Sequence, residues 1–233
     1  MWTMRNLLFW DSLGYGNAMR LVLLATVRLA CGLLPVTMLA APSVSYVQGN
    51  FATPQTPQTT VNVKFTAAQV AGDINVVAVG WKDSKATVSA VTDSSHNTYA
   101  RAVGPTVQKE IASQSIYYAK NITSAAAGVN IVTVTFSTAA ASPDIRILEY
   151  SGADPSNPVD VTAAKSGNSA TSSSGSARTT NPTDLILGAN LIQTTTSCPG
   201  SGFTMRLLTS PDGDIAEDRA DGPAPLRYSY RQP

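Results

Sequence analysis

Five acidic residues crowd the stretch Asp212, Asp214, Glu217, Asp218 and Asp221. Carboxylate oxygens are hard ligands, so Asp212, Asp214, Glu217 and Asp218 are the candidate ligands for a Ca²⁺ ion. The spacing nonetheless lacks most positions of an EF-hand loop. The competing reading is structural. Pro211-Asp-Gly213 is a turn sequence, and its aspartates can cap backbone amides. No cofactor other than Ca²⁺ is expected.

Aromatic rings form the second candidate group. Sugar-binding modules stack pyranose rings on flat exposed side chains, and Trp81, Tyr117, Tyr118 and Tyr150 lie on strand-like runs that could present such a platform. Aromatics make up only 7% of the chain, however, and rings at strand ends or alternating strand positions usually fill the core or its rim.

Catalytic patterns are weaker. A glycosidase needs two carboxyls held about 5–10 Å apart, and Glu149 or Glu217 with a nearby aspartate would supply them. In Asp144-Ile-Arg-Ile-Leu-Glu149, Arg146 and Glu149 fall on opposite faces of a strand, which excludes a local ion pair between them. There is no Gly-x-Ser-x-Gly elbow, and Ser174-Gly-Ser176 belongs to a low-complexity run. His96, the single histidine, has no evident orienting acid and sits among turn formers. No enzyme activity is expected. The two cysteines, Cys31 and Cys198, predict no intrachain disulfide, because Cys31 falls within an export segment.

Composition narrows the partners. Charged residues are 13% of the chain and the formal net charge is +1, with the basic residues scattered singly. A phosphate backbone wants a clustered basic face, so no nucleic-acid partner is expected. The remaining partners are a glycan or another surface protein.

The elements that must position these residues read as strands. Gly72 to Trp81 is apolar on both alternating faces and too short for a confident helix, which marks a fully buried strand. Thr183 to Ile192 has the same character, and the two are expected to lie side by side at the centre. Val61 to Phe65, Thr87 to Thr92, Tyr99 to Val103, Ser113 to Lys120, Val129 to Phe136, Asp144 to Gly152 and Phe203 to Thr209 read as further strands, and Gly104-Pro105 reads as a break. Gly167 to Thr180, almost wholly Ser, Thr, Ala, Gly and Asn, predicts a polar outer strand. With no 3.6-residue period outside the N-terminal region, the fold class is all-β: an antiparallel β-sandwich, jelly-roll-like or Ig-like, preceded by an N-terminal hydrophobic export helix.

That export helix is read from Leu21 to Ala41, which follows Met19-Arg20 and leads into the small residues of Ala41-Pro-Ser-Val-Ser45. Counted from Met19, it fits a secretory signal, and translation from Met19 is expected. Arg28 and Pro35 disfavour the rival reading of an uncleaved anchor, the only route by which residues 21–41 would hold the chain to a membrane. The chain therefore divides into an N-terminal extension and signal at 1–45, a Pro/Thr/Gln-rich linker or first edge segment at 46–60, a sandwich at 61–219 and an atypical tail at 220–233.

Gly72-Asp-Ile-Asn-Val-Val-Ala-Val-Gly-Trp81, Val91-Thr-Asp-Ser-Ser95, Asn97-Thr-Tyr99, Tyr117-Tyr-Ala-Lys-Asn121, Ile147-Leu-Glu-Tyr-Ser-Gly152 and Ser210-Pro-Asp-Gly-Asp-Ile-Ala-Glu-Asp218 together resemble an uncharacterised β-sandwich module that recurs in exported bacterial surface or repeat-bearing proteins. The resemblance spans about Phe51 to Arg219. It implies a location outside the cytoplasm, whether extracellular, cell-surface or periplasmic, and carries no ligand or activity with it. Similar modules close with a further apolar strand, whereas here only Leu226, Tyr228 and Tyr230 alternate with Arg227, Ser229 and Arg231. That run either substitutes as an edge strand or stands where a closing strand is truncated. The functional expectation is a non-enzymatic surface, adhesion or spacer module, with a carbohydrate-binding module and then a hydrolase as alternatives.

Overall fold

The computed structural model describes residues 2–4, 43–181, 183–221 and 226–231. Among them the chain is all-β with antiparallel sheets and contains no helix. The export segment at 21–41 lies outside the described residues.

The central sheet has the order β2-β9-β4-β7-β6, from β2 (Ser45–Ala52), β4 (Ile74–Trp81), β6 (Ala100–Gln108), β7 (Ala112–Ala119) and β9 (Asp144–Ser151). All eight residues of β4 are buried, as its unbroken apolar run requires of a strand covered on both faces. One face meets a sheet of β3 (Gln58–Lys64), β8 (Ile131–Ala140) and β5 (Val88–Asp93), in the order β3-β8-β5. Val77, Val79, Trp81, Ile145 and Ile147 pack there against Val61, Val63, Val132, Val134 and Phe136.

The other face meets β1 (Trp2–Met4), β11 (Asp184–Ala189), β13 (Ile215–Asp221) and β12 (Thr204–Leu208), in the order β1-β11-β13-β12. Ile74, Val76, Ala78, Ile116, Leu148 and Tyr150 pack against Leu185, Leu187 and Ala216. The period of two thus sends even-numbered β4 residues to one neighbouring layer and odd-numbered ones to the other.

Several elements depart from the sequence reading. β4 and β11 are not sheet neighbours. β11 lies in the facing layer and pairs with β13, while β4 runs between β7 and β9. An apolar run reports burial on both faces, and burial in a middle layer and in a covered outer layer look alike in sequence. β6 does not stop at Gly104-Pro105 but continues to Gln108 through register breaks at Arg101/Val103 and Val103/Thr106. As an edge strand it tolerates a residue without an N–H, which a central strand would not.

The serine-rich run forms β10 (Thr171–Ala177), which pairs with β14 (Leu226–Arg231) as a separate two-stranded sheet. Its Ala177 packs with Ala163 and Phe203 on the outer face of β11 and β13, against Ile186 and Ile215. β1 pairs with Leu185 to Leu187. Since β1 precedes Met19, a chain begun at Met19 would leave that edge of β11 without this partner.

Candidate functional site

The acidic residues read as a calcium cluster do not converge. In β13 the side chains alternate, so Glu217 and Asp218 leave opposite faces of the strand. Glu217 Oε2 accepts the Gly200 N–H at 2.9 Å. Asp218 Oδ2 accepts the Tyr150 hydroxyl at 2.9 Å and Arg206 Nε at 2.8 Å. Asp212 is paired with Lys82 at 2.6 Å and accepts Gln55 Nε2 at 2.9 Å. Asp214 turns into the core and accepts the Ile192 N–H at 2.8 Å. Among the described residues no three His, Cys, Asp or Glu side chains are grouped to hold a metal ion.

What Asp214 meets there is a buried charge cluster. Asp144 and Arg146 share one face of β9, two residues apart, and both are fully buried with Asp214. Arg146 Nε lies 2.7 Å from Asp144 Oδ1. Its Nη1 donates to the Ile215 carbonyl at 2.6 Å, and its Nη2 donates to Gln114 Oε1 at 3.2 Å. Asp214 and Thr209 are polar neighbours of the Asp144 carboxyl.

Burial raises the Asp214 carboxyl to about 8; the Arg146 guanidinium opposes the shift and the Asp144 charge adds to it. Burial raises Asp144 as well, against Arg146. Two carboxyls this close in a low-dielectric core disfavour each other's ionisation, and Asp214 keeps its proton near neutral pH. Neither carboxyl is exposed to solvent.

A second acid pair lies at the start of β4. Asp73 and Glu149 hydrogen-bond each other, and burial, followed by the Glu149 charge, raises Asp73 to about 6. Glu149 is fully buried, and its Oε2 accepts Gln48 Nε2 at 2.6 Å. Gln48 is itself fixed by the Ala67 backbone, whose N–H it accepts at 2.9 Å. Carboxyls in direct contact leave no room for the water or sugar carbon that a glycosidase pair, about 5–10 Å apart, must hold between them.

The Val91 to Tyr99 motifs build a third buried network around Asp93. Asp93 Oδ2 accepts Tyr99 Oη at 2.9 Å, Asn97 Nδ2 at 2.8 Å and Asn130 Nδ2 at 3.1 Å. Asn130 Nδ2 also donates to Gln69 at 2.6 Å, and Gln69 donates to Asn75 at 2.8 Å. His96 occupies the neighbouring turn at φ 59° and is exposed. These polar residues lock the β5–β6 turn and the strand ends, which is their evident use.

The four rings separate in the same way. Trp81 is 1% exposed, stacks edge-on against Phe136 at 5.5 Å and donates Nε1–H to the Ala86 carbonyl at 3.1 Å. Tyr150 is fully buried beside Tyr46. Neither offers a face to a ligand. Tyr117 and Tyr118 are half-buried and pack against opposite faces of the central sheet, so they do not form one platform.

An open cleft lies elsewhere. Ala112, Gln114 and Ile116 leave β7 on the face turned towards the layer that contains β11. They line this cleft of about 640 Å³, walled by residues 163–169 and 171–174 on one side and by 189–194 on the other. Gln114 spans its base, with Nε2 donating to the Ala189 carbonyl at 3.1 Å and Oε1 held by Arg146.

Sequence reasoning missed Gln114, Asp73 and the Asp144–Arg146 pair. The i, i+2 spacing of Asp144 and Arg146 carried a signal, since that spacing puts two side chains on one strand face. Comparison with known protein families, curated proteins and solved structures finds no match for this chain. The fold and site define it as an all-β protein of antiparallel sheets with its acid pairs buried and an open cleft whose described lining is uncharged but for one lysine.

Proposed function

We propose that this chain is an exported, non-enzymatic surface module built on a jelly-roll-like β-sandwich, serving in adhesion or as a spacer. The fold reading is supported by strand order. β2-β9-β4-β7 facing β3-β8-β5 is the arrangement of two interleaved Greek keys, with β6 shifted to the edge of the first sheet. Export is supported by the apolar run from Leu21 to Ala41 with its small-residue end.

One observation carries the non-enzymatic reading. The acid groups close enough to exchange protons, Asp144 with Asp214 and Glu149 with Asp73, are buried and engaged with protein partners. General acid–base chemistry needs a titratable group within reach of substrate. The open cleft has no carboxyl or imidazole among its described lining residues.

The test is expression of the full chain in a bacterial host, followed by fractionation and N-terminal sequencing. The expected product is exported and begins near Ser43. A cytosolic product that retains the 21–41 segment would overturn export. Turnover of a polysaccharide that is lost on Glu149→Gln would overturn the non-enzymatic reading.

A further inference from the structure

We propose that the cleft between the β6–β7 hairpin and residues 163–174 is a binding site for a short neutral oligosaccharide. The inference rests on the non-enzymatic reading and names the ligand face of that module.

Size comes first. A volume of about 640 Å³ lies inside the roughly 300–1,000 Å³ range of small-ligand sites. Chemistry then selects the occupant. Gln108, Asn168, Ser169, Thr171, Gln193 and Thr194 line the walls, and hydroxyls and amides both donate and accept. That is the complement of a polyol, each of whose hydroxyls also does both.

Lys165 is the one charged side chain among the described lining residues. With no carboxylate there, a metal ion or an organic cation has no counter-charge. With a single cation, a polyanion has too few. Leu191 lines one wall, and Ile111 stands at the rim, 43% exposed. These aliphatic surfaces suit the C–H faces of a pyranose, whose hydroxyls then reach outward to the walls.

Preorganisation supports a site rather than a surface dent. Gln114 at the base has its amide nitrogen and oxygen both fixed, one by Ala189 and the other by fully buried Arg146. Leu191 is held against β4, where a Cβ on Gly80 would come within 2.7 Å of Leu191 Cδ1. A base whose rotamers are already locked has less ordering cost on binding.

An extended peptide fits the cleft less well. The adjoining edge strand β6 contains Pro105 and two register breaks, which interrupt the row of N–H and C=O groups that strand addition uses.

The experiment is isothermal titration of the full chain with maltotriose, cellotriose and N,N′,N″-triacetylchitotriose, with a galacturonate trimer as the anionic comparison. At least one neutral sugar should bind at low millimolar concentration or better, and the galacturonate trimer should bind more weakly. Asn168→Ala with Gln193→Ala, both exposed wall residues, should weaken binding by about tenfold or more while leaving the melting temperature unchanged. Three silent neutral sugars, tighter binding of the galacturonate trimer, or unchanged affinity in the double variant would each overturn the site. Silence leaves the non-enzymatic reading intact. Release of new reducing ends from a bound sugar would instead overturn that reading and keep the site.

Discussion

Arg146 and Asp144 face each other across 2.7 Å with neither side chain exposed to solvent. They leave the same face of β9, and Asp214 reaches the same place from the turn before β13. Removing both charges from such a cluster is often tolerated, because desolvation offsets much of the attraction. Removing one strands the other. Arg146→Met should therefore cost about 3–5 kcal/mol in chemical denaturation, and Asp144→Leu in the same chain should recover part of it. A double-variant loss equal to the sum of the Arg146→Met and Asp144→Leu losses would show that the two residues are not coupled.

Stability should fall as pH rises towards 8. Asp214 has its carboxyl raised by burial to about 8, whereas an exposed aspartate titrates near about 3.9. Between these values the folded chain holds a proton that the unfolded chain has lost, so rising pH favours unfolding across that window and adds nothing above it. Asp73, raised to about 6, acts with the same sign over the lower part of the window. Asp214→Asn keeps the shape of the protonated acid without its titration. Its melting temperature should fall less than that of the wild type between about pH 5 and about pH 8.5. A wild-type melting temperature that climbs over this interval would refute the assignment.

Much of the fold was legible in sequence because burial leaves a periodic trace. β4 reads as buried because all its side chains except Asn75 are apolar or small, and β3 and β8 read as half-buried because Val61 and Val63, or Val132 and Val134, alternate with polar residues. Layer assignment was not legible, since β11 carries the same trace as β4 yet lies in the facing sheet. The candidate ligands misled for a related reason. Trp81 and Tyr150 are as apolar as the core demands, and no local pattern distinguishes a ring turned in from one turned out. The cleft left no trace at all, because its floor on β7 and its wall at residues 163–174 meet only after the sheets have stacked.

Trp81→Ala should unfold the protein readily and should not act as a ligand-site variant. The ring fills the core between the central sheet and β8, against Phe136. Truncating a buried Trp leaves a cavity that costs about 3–5 kcal/mol. Trp81→Phe should cost much less, because most of the packing survives and one hydrogen bond, to Ala86, is lost. Urea midpoints for the two variants give the comparison. A Trp81→Ala midpoint near that of the wild type would place the ring outside the core.

Removal of residues 226–233 should loosen β10 and spare the layered core. Leu226–Arg231 pairs with β10 alone, and β10 has no other strand partner among the described residues. Hydrogen exchange should quicken at Thr171, Ser172 and Ser176, while amides of β4 and β9 keep their protection. Lost protection in β4 would mean that the tail belongs to the main fold.

Gly213 is a position where one added methyl group should be strongly destabilising. It sits at φ 74°, a region that costs an L side chain about 1–2 kcal/mol. A Cβ there would fall 2.2 Å from Thr195 Cγ2 and 2.8 Å from Thr195 Cα. The methyl end of Thr195 could rotate away, but its α-carbon cannot move without the backbone. That backbone is tied to the same turn, because the Thr196 N–H donates to the Gly213 carbonyl at 2.9 Å. Overpacking of this kind adds about 1–3 kcal/mol, so Gly213→Ala should lose about 2–5 kcal/mol in all. Adding Thr195→Gly removes the Cγ2 clash but neither the clash with the backbone at position 195 nor the dihedral cost, and rescue should therefore be partial. Full rescue would locate the whole penalty in the Thr195 side chain, and no loss in Gly213→Ala would mean that the turn before Asp214 has room for a side chain.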